Sequence, residues 1–119
     1  MERTNPLNVF FYESENGNQP VRDFLLNLSK EDRKEVGADI FAVQKGFPLG
    51  LPLCRKMEGD IWEIRSNLKD GICRILFAVE KEVVVLLHGF IKKTQKTPPV
   101  DLKTARDRLF NYRRLQNEG

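Results

Sequence analysis

The sequence predicts a single α+β domain over residues 1–119, with helices packed on an antiparallel sheet. Two observations support this fold class. Apolar residues recur at helical spacing in the N-terminal third of the chain and again near its C-terminus. Between residues 61 and 91 the pattern changes to alternation and to continuous apolar runs, which are typical of strands. A chain of 119 residues, 40% of them hydrophobic, can bury one core and is short for two domains.

The N-terminal part is predicted as one strand followed by a helical hairpin. The aromatic and β-branched run from Leu7 to Tyr12 predicts the strand, and a polar cluster rich in turn formers follows it at residues 13–18. Pro20 is tolerated in a first helical turn and is followed by an apolar stripe at helical spacing. Ser29, with Asp32 three residues later, marks the start of a second helix that ends near residue 46.

Three adjacent strands are predicted in the second half, at residues 61–65, 72–79 and 83–91. The connections at residues 67–71 and 81–82 are short enough for hairpins, so these strands should be antiparallel neighbours. A loop at residues 94–99 separates them from a final helix. The apolar stripe of that helix consists of Leu102, Ala105, Leu109 and Tyr112, which makes Tyr112 a predicted core residue.

Positive charge is concentrated in the C-terminal quarter, although the net charge of +3 is only mildly basic. Between residues 92 and 114, two acidic residues, Asp101 and Asp107, face a larger basic set: Lys92, Lys93, Lys96, Lys103, Arg106, Arg108, Arg113 and Arg114. Such a run indicates either a nucleic-acid surface or a solvated helix face.

The cysteines and the hydropathy pattern favour a cytoplasmic protein. Cys54 and Cys73 lie in apolar, strand-like stretches without the paired spacing of a zinc or redox site, so both are predicted as reduced core residues and no metal is expected. The N-terminus lacks a signal-peptide pattern, and the apolar runs are shorter than a membrane span.

Two arginines on the predicted strands stand out. Alternation places Glu63 and Arg65 on one face of their strand and Trp62 on the core face. This pair can either serve a ligand or bind neighbouring charges on a solvated sheet face. Arg74 interrupts the apolar run of the next strand, and an arginine among buried neighbours must be paired or face a functional cleft.

The segment from Leu87 to Pro99 (LHGFIKKTQKTPP) carries a more specific signal. Its pattern, His-Gly-Phe-x-Lys-Lys-Thr-x-Lys-Thr-Pro, resembles the signature of the phage-associated HigB-like toxins in the RelE superfamily. The upstream segments Trp-Glu-Ile-Arg and Gly-Ile-Cys-Arg-Ile-Leu-Phe resemble the two arginine-bearing strands of that family, and residues 19–25 resemble its opening helix. The resemblance runs from about residue 10 to residue 112, in the same order and spacing.

This resemblance implies a RelE-like fold and the toxin of a type II toxin–antitoxin system. Members of the family cut messenger RNA in the ribosomal A site without a metal or other cofactor, by attack of a 2′-hydroxyl on the adjacent phosphodiester. The implied partners are the ribosome with its messenger RNA and a helix-turn-helix antitoxin like HigA, through which the toxin could join operator DNA. A membrane is not among them. The alternative is a catalytically silent nucleic-acid-binding module that acts with its antitoxin as a corepressor.

Residue types suggest how the roles divide. Arg65 and Arg74 suit phosphate and transition-state binding, because a guanidinium holds two oxygens and stays charged. Two candidates remain for proton transfer: a lysine among Lys92, Lys93 and Lys96, since clustered cations can depress one another's pKa, and His88. In the alternating frame of Val84 and Leu86, however, His88 would be a half-buried residue bonded to backbone. The further residues expected to bind RNA are Lys96, Thr94, Arg55 and Arg106.

Overall fold

The structure is a computed structural model that describes residues 3–50 and 52–118, with the side chain of Glu118 left out. Within these residues it contains five strands and three helices in one α+β domain. Their order and bounds are β1 (Asn8–Phe11), α1 (Pro20–Leu26), α2 (Lys30–Gly46), β2 (Cys54–Glu58), β3 (Ile61–Leu68), β4 (Gly71–Glu80), β5 (Val83–Lys92) and α3 (Pro99–Glu118). The strand, helix, helix, strands, helix order predicted from the sequence is confirmed.

The sheet has the strand order β1-β5-β4-β3-β2, and the prediction that it is wholly antiparallel was wrong. Strands β2 to β5 form an antiparallel meander, whereas β1 pairs in parallel with β5, with Asn8 opposite Val83. Parallel neighbours need a long crossover connection. Here the two helices and strands β2 to β4 lie between β1 and β5 in the chain, so β1 joins the free edge of the last strand.

Both predicted hairpins are present. Strands β3 and β4 are joined by Lys69 and Asp70, and β4 and β5 by Lys81 and Glu82. The last two residues have positive φ angles of 47° and 70°, as a two-residue turn needs if it is to follow the right-handed twist of its strands. The hairpins therefore place β3, β4 and β5 side by side.

Helices α1 and α2 cover one face of the sheet. Helix α1 packs on β5 and α2 on β3. The predicted start of α2 is confirmed, because the Ser29 hydroxyl accepts a bond of 3.1 Å from the Asp32 N–H. Trp62 is half-buried on this face and meets Phe47 edge-on, with ring centroids 4.9 Å apart. The buried core here consists of Leu7, Val21, Leu25, Val36, Ile40, Val43, Cys54, Ile64, Cys73, Ile75, Phe77, Val84 and Leu86.

Helix α3 covers the opposite face, and its predicted apolar stripe is confirmed. Ala105 and Leu109 are buried, while Leu102 and Tyr112 are partly buried against the same core. The other buried members of this core are Tyr12, Ile61, Leu76, Ala78, Val85, Leu87 and Phe90. None of the described helices combines the length and the apolar character that a membrane crossing requires.

A β-bulge in β5 decides which way its second half faces. Leu76 pairs with His88 and Phe77 with Leu86, so Leu87 is an extra residue without a partner in the ladder. An extra residue reverses the alternation beyond it. His88 and Phe90 consequently lie on the α3 face together with Leu87, and the frame of Val84 and Leu86 that the sequence suggested for His88 was wrong.

Candidate nucleic-acid interface

The two arginines singled out in the sequence meet on the α3 face of the sheet. Arg65 of β3 and Arg74 of β4 are directly opposite each other in the antiparallel ladder, so both side chains leave the same face. Arg55 of β2 is likewise opposite Glu63 of β3, which shares a face with Arg65 because the two are separated by one residue. Three arginines from three adjacent strands are thus grouped around one glutamate. We call Arg55, Arg65, Arg74 and Glu63 the arginine cluster.

Glu63 occupies the centre of the arginine cluster and is fully buried. Its carboxylate accepts a bond of 3.1 Å from Arg55 Nε and another from the Thr97 hydroxyl. Arg65 Nε lies 3.9 Å and Arg74 Nη1 3.8 Å from the same carboxylate. The interpretation that Glu63 pairs with neighbouring charges on a solvated sheet face was therefore wrong about its exposure. The pairing with arginines is present, but the carboxylate is buried.

Arg74 is also fully buried, beneath the connection between β5 and α3. This connection, residues 93–98, is called the lysine loop below. Arg74 Nη1 donates to the carbonyl of Gln95 at 2.9 Å and to the Thr97 hydroxyl at 3.2 Å, and Nη2 donates to the carbonyl of Thr94. The sequence left two possibilities for Arg74, that it is paired with other groups or that it faces an open cleft. The structure shows the first, and the hydrogen-bond partners of Arg74 are neutral oxygens.

The arginine cluster carries excess positive charge. Three guanidiniums against one carboxylate leave a net charge of +2 on these four side chains. Burial lowers the pKa of Arg74, as do Arg65 and Arg55, while Glu63 acts in the opposite direction. Among the described residues, Arg74 Nε is buried without a hydrogen-bond acceptor. An additional anion would therefore be stabilised here.

The lysine side chains beside this cluster are open to solvent. Lys92, Lys93 and Lys96 are all exposed, as is Thr94. Register places Lys92 opposite Ile72, so its side chain leaves the same face of the sheet as Arg74. Within the described part of the chain these three lysines have no carboxylate partner. The lysine loop is therefore free to attract a polyanion.

The basic residues of α3 are engaged differently. Arg106 binds Glu58 through two contacts of 3.0 and 3.1 Å, and Lys103 binds Asp107 at 2.7 Å. Arg113 binds both Glu80 and Asp60. Of the two interpretations of the basic C-terminal run, a solvated helix face describes α3 well. Among the described residues, Arg106 binds Glu58 rather than a member of the arginine cluster.

His88 lies on the same sheet face as the arginine cluster but is held by α3. Its Nε2 is 2.6 Å from Asp101 Oδ1, and its Nδ1 is 3.5 Å from Arg108 Nη1. Because a carboxylate only accepts, Nε2 carries the proton and Nδ1 faces a cation. The ring stacks on Phe90, with centroids 5.4 Å apart. Phe90 in turn pairs with Arg74 in the ladder, while His88 pairs with Leu76, two residues further along β4.

Cys54 and Cys73 are buried and carry free thiols, as predicted. Burial raises the pKa of Cys54 to about 11 and that of Cys73 to about 12, so both stay protonated near neutral pH. Across residues 3–50 and 52–118, no three His, Cys, Asp or Glu side chains are grouped as metal ligands would be.

Three residues of this site were missed in the sequence. Glu63 was considered only together with Arg65, for a ligand or for neighbouring charges on a solvated face, and was not assigned to the site, while Gln95 and Thr97 were assigned no role. Glu63 could have been suspected, because one acidic residue between two strands that carry arginines would have to neutralise them. Nothing in the sequence indicates that Gln95 and Thr97 fold back onto Arg74, since that contact depends on the path of the loop.

Comparison with known proteins identifies the family. No curated protein sequence matches the chain. The family model described as "Phage derived protein Gp49-like (DUF891)" matches residues 23–110, which is most of the chain and includes every residue of the arginine cluster and the lysine loop. This family is associated with the toxins of toxin–antitoxin systems. The chain belongs to the phage-derived Gp49-like family.

Proposed function

We propose that this chain is a HigB-like toxin of a type II toxin–antitoxin system, with the RelE-type fold, and that it cleaves messenger RNA on the ribosome. The observation that carries the proposal is the direct pairing of Arg65 with Arg74 beside an exposed run of lysines. Two guanidiniums at directly opposed ladder positions can each bind phosphate oxygens, and the cluster has more positive charge than Glu63 neutralises.

The proposed reaction is an in-line transfer within the RNA chain. The 2′-oxygen forms a bond to phosphorus as the bond from phosphorus to the 5′-oxygen breaks, which leaves a 2′,3′-cyclic phosphate and a 5′-hydroxyl. One group must accept the proton of the 2′-hydroxyl, and another must deliver a proton to the departing oxygen. Negative charge grows on the non-bridging oxygens, where fixed cations stabilise it.

The described side chains suit these tasks as follows. Arg65 and Arg74 would stabilise the non-bridging oxygens, with Arg55 contributing charge from the next strand. Lys92 or Lys93 would transfer a proton, while Lys96 and Thr94 would bind neighbouring parts of the RNA backbone. His88 is the other candidate for proton transfer, but it would first have to give up its bond to Asp101 or its contact with Arg108.

The proposed partners follow from the toxin assignment. The ribosome would align the scissile phosphate, because the site offers cations but only a few groups that could position the 2′-hydroxyl. A helix-turn-helix antitoxin of the HigA kind would inhibit the toxin and carry it to operator DNA. A small helix-turn-helix gene adjacent to this one, whose product relieves the growth arrest caused by the toxin, would support the pairing.

The direct test is cleavage by the purified protein. We expect it to cut messenger RNA in programmed ribosomes and to leave the same free RNA almost intact, with 2′,3′-cyclic phosphate ends on the products. The ends can be identified by their resistance to ligation until the cyclic phosphate is opened and the resulting phosphate is removed. Efficient metal-dependent cutting of free RNA would contradict the mechanism.

The variant Arg65→Lys distinguishes the proposed enzyme from the alternative function, a catalytically silent nucleic-acid-binding module. Lysine keeps the charge but loses the planar fork, so a protein that only binds RNA should lose little affinity. An enzyme that uses this guanidinium in the transition state should lose about tenfold or more in cleavage rate. Arg113→Lys is the matched control, since that arginine is bound by carboxylates away from the cluster.

A further inference from the structure

Gln95 is the residue on which the three arginines converge. Its side-chain Oε1 accepts a bond of 2.6 Å from Arg65 Nη2. Its main-chain carbonyl accepts from Arg74 Nη1 at 2.9 Å and from Arg55 Nη2 at 3.4 Å. One residue thus presents two oxygens to three guanidiniums. A phosphodiester, with its two non-bridging oxygens, would make the same kind of contact.

Gln95 satisfies the geometry of this position but not its charge. Its two oxygens are neutral, so the net charge of +2 on the arginine cluster remains uncompensated. Hydrogen bonds from a guanidinium to an ionised oxygen are stronger than those to a neutral amide. The buried Arg74 Nε also lacks an acceptor among the described residues. A phosphate would supply both the missing charge and additional acceptor oxygens.

The contacts of the lysine loop allow Gln95 to leave without unfolding the site. Gln95 is exposed, as are its neighbours Thr94 and Lys96. Thr97, in contrast, is buried and is bonded to both Glu63 and Arg74. Thr97 therefore anchors the C-terminal end of the loop, and the residues before it can move while the arginine cluster keeps its central carboxylate.

We propose that Gln95 occupies the phosphate-binding position of the arginine cluster in the free protein and that an RNA phosphate displaces it. The inference deepens the proposed function, on which the identity of the anion as an RNA phosphodiester rests. Displacement exposes Arg74 and frees Arg65, while Lys93 and Lys96 flank the incoming backbone. In the free protein the guanidiniums stay occupied, which would account for the low cleavage that we expect on RNA not held by the ribosome.

The experiment measures anion binding to the wild-type protein and to Gln95→Ala. The probes are inorganic phosphate, followed by NMR of the arginine side chains, and a single-stranded 2′-O-methyl RNA that cannot be cleaved, followed by fluorescence anisotropy. Removal of the amide frees Arg65, so phosphate should bind about three- to tenfold more tightly. Gln116→Ala is the matched control, because it removes an exposed glutamine at the far end of α3.

A second variant pair tests whether the effect passes through Arg65. In an Arg65→Ala background, Gln95→Ala should no longer tighten phosphate binding. Gln95→Glu, compared with Gln116→Glu, should weaken it by about tenfold, since a carboxylate holds guanidiniums more firmly than an amide does. Unchanged or weaker phosphate binding by Gln95→Ala, or an equal gain without Arg65, would overturn the inference.

The two probes separate this inference from the proposed function. Tighter phosphate binding by Gln95→Ala without any binding of the RNA would uphold the displaced position and contradict an RNA substrate. If the Gln95 variants bind phosphate as the wild-type protein does, and the protein cleaves messenger RNA on ribosomes, the nuclease function would be supported and Gln95 would have no role in its site.

Discussion

Arginines lie at two ends of the α3 face of the sheet, and they are held in opposite ways. Arg113 is bound by two carboxylates, Glu80 at 2.7 Å and Asp60 at 2.8 Å, and these bonds raise its pKa. Arg74 lies 3.8 Å from a carboxylate that it shares with two other arginines, and its hydrogen bonds go to neutral oxygens. The first arrangement sets two carboxylates against one guanidinium and joins helix to sheet. The second retains positive charge, as an anion-binding site must.

The largest expected effect concerns the buried carboxylate of the arginine cluster. Glu63→Gln should lower the free energy of unfolding by about 3–5 kcal/mol, because it leaves buried guanidiniums without their counter-charge. Glu80→Gln should cost less than about 1 kcal/mol, since that carboxylate is partly exposed and Asp60 still binds Arg113. Urea unfolding measures both. Equal losses would show that the two regions do not differ in this way.

The next effect concerns activity. Arg74→Ala should lower ribosome-dependent cleavage by about a hundredfold or more, equivalent to about 3 kcal/mol of transition-state stabilisation, and abolish toxicity. Arg113→Ala should leave cleavage unchanged. We expect Arg74→Ala to fold and to bind the antitoxin, because water can reach the exposed Thr94 and Gln95 that lose a donor, and the buried Thr97 hydroxyl keeps its bonds to Glu63 and Arg55.

Thermal unfolding and antitoxin affinity must accompany that measurement. A large fall in melting temperature for Arg74→Ala would assign this arginine to the structure of the lysine loop. Full cleavage activity with an unchanged fold would remove it from the site.

A smaller effect is expected for the histidine. His88→Ala should lower cleavage by less than about tenfold, because both ring nitrogens already face partners on α3 and Phe90, not His88, is opposite Arg74 in the ladder. Single-turnover cleavage on programmed ribosomes measures this. A loss as large as that of Arg74→Ala, in a protein of unchanged stability, would make His88 the proton-transfer group.

The smallest expected effect compares two cations outside the arginine cluster. Lys96→Ala should weaken RNA binding by a few-fold and reduce the slope of its salt dependence by about one, as the loss of one phosphate contact does. Arg106→Ala should change affinity by less than about twofold, since Glu58 already neutralises this arginine. If Arg106→Ala has the larger effect, charge matching does not decide which cations bind RNA.

Local patterns predicted much of the fold and part of the site. Period-two alternation placed Glu63 and Arg65 on one face, and helical spacing placed Ala105 and Leu109 against the sheet. Both follow from the geometry of a single element, which neighbouring residues suffice to specify. The burial of Glu63 could not be read in this way, because it depends on Thr97, which is 34 residues away.

The sequence by itself determined the helices, the hairpins, the α+β class and the strands that carry Arg65 and Arg74, because each depends on residues close together in the chain. Tertiary structure decided the parallel pairing of β1 with β5, the bulge at Leu87 that turns His88 toward α3, and the folding of Gln95 over the arginines. The first and the last join segments distant in sequence, and the bulge decides the contact of His88 with Asp101 of α3. Their free energies depend on packing and on buried charge, which exist only once the elements have come together.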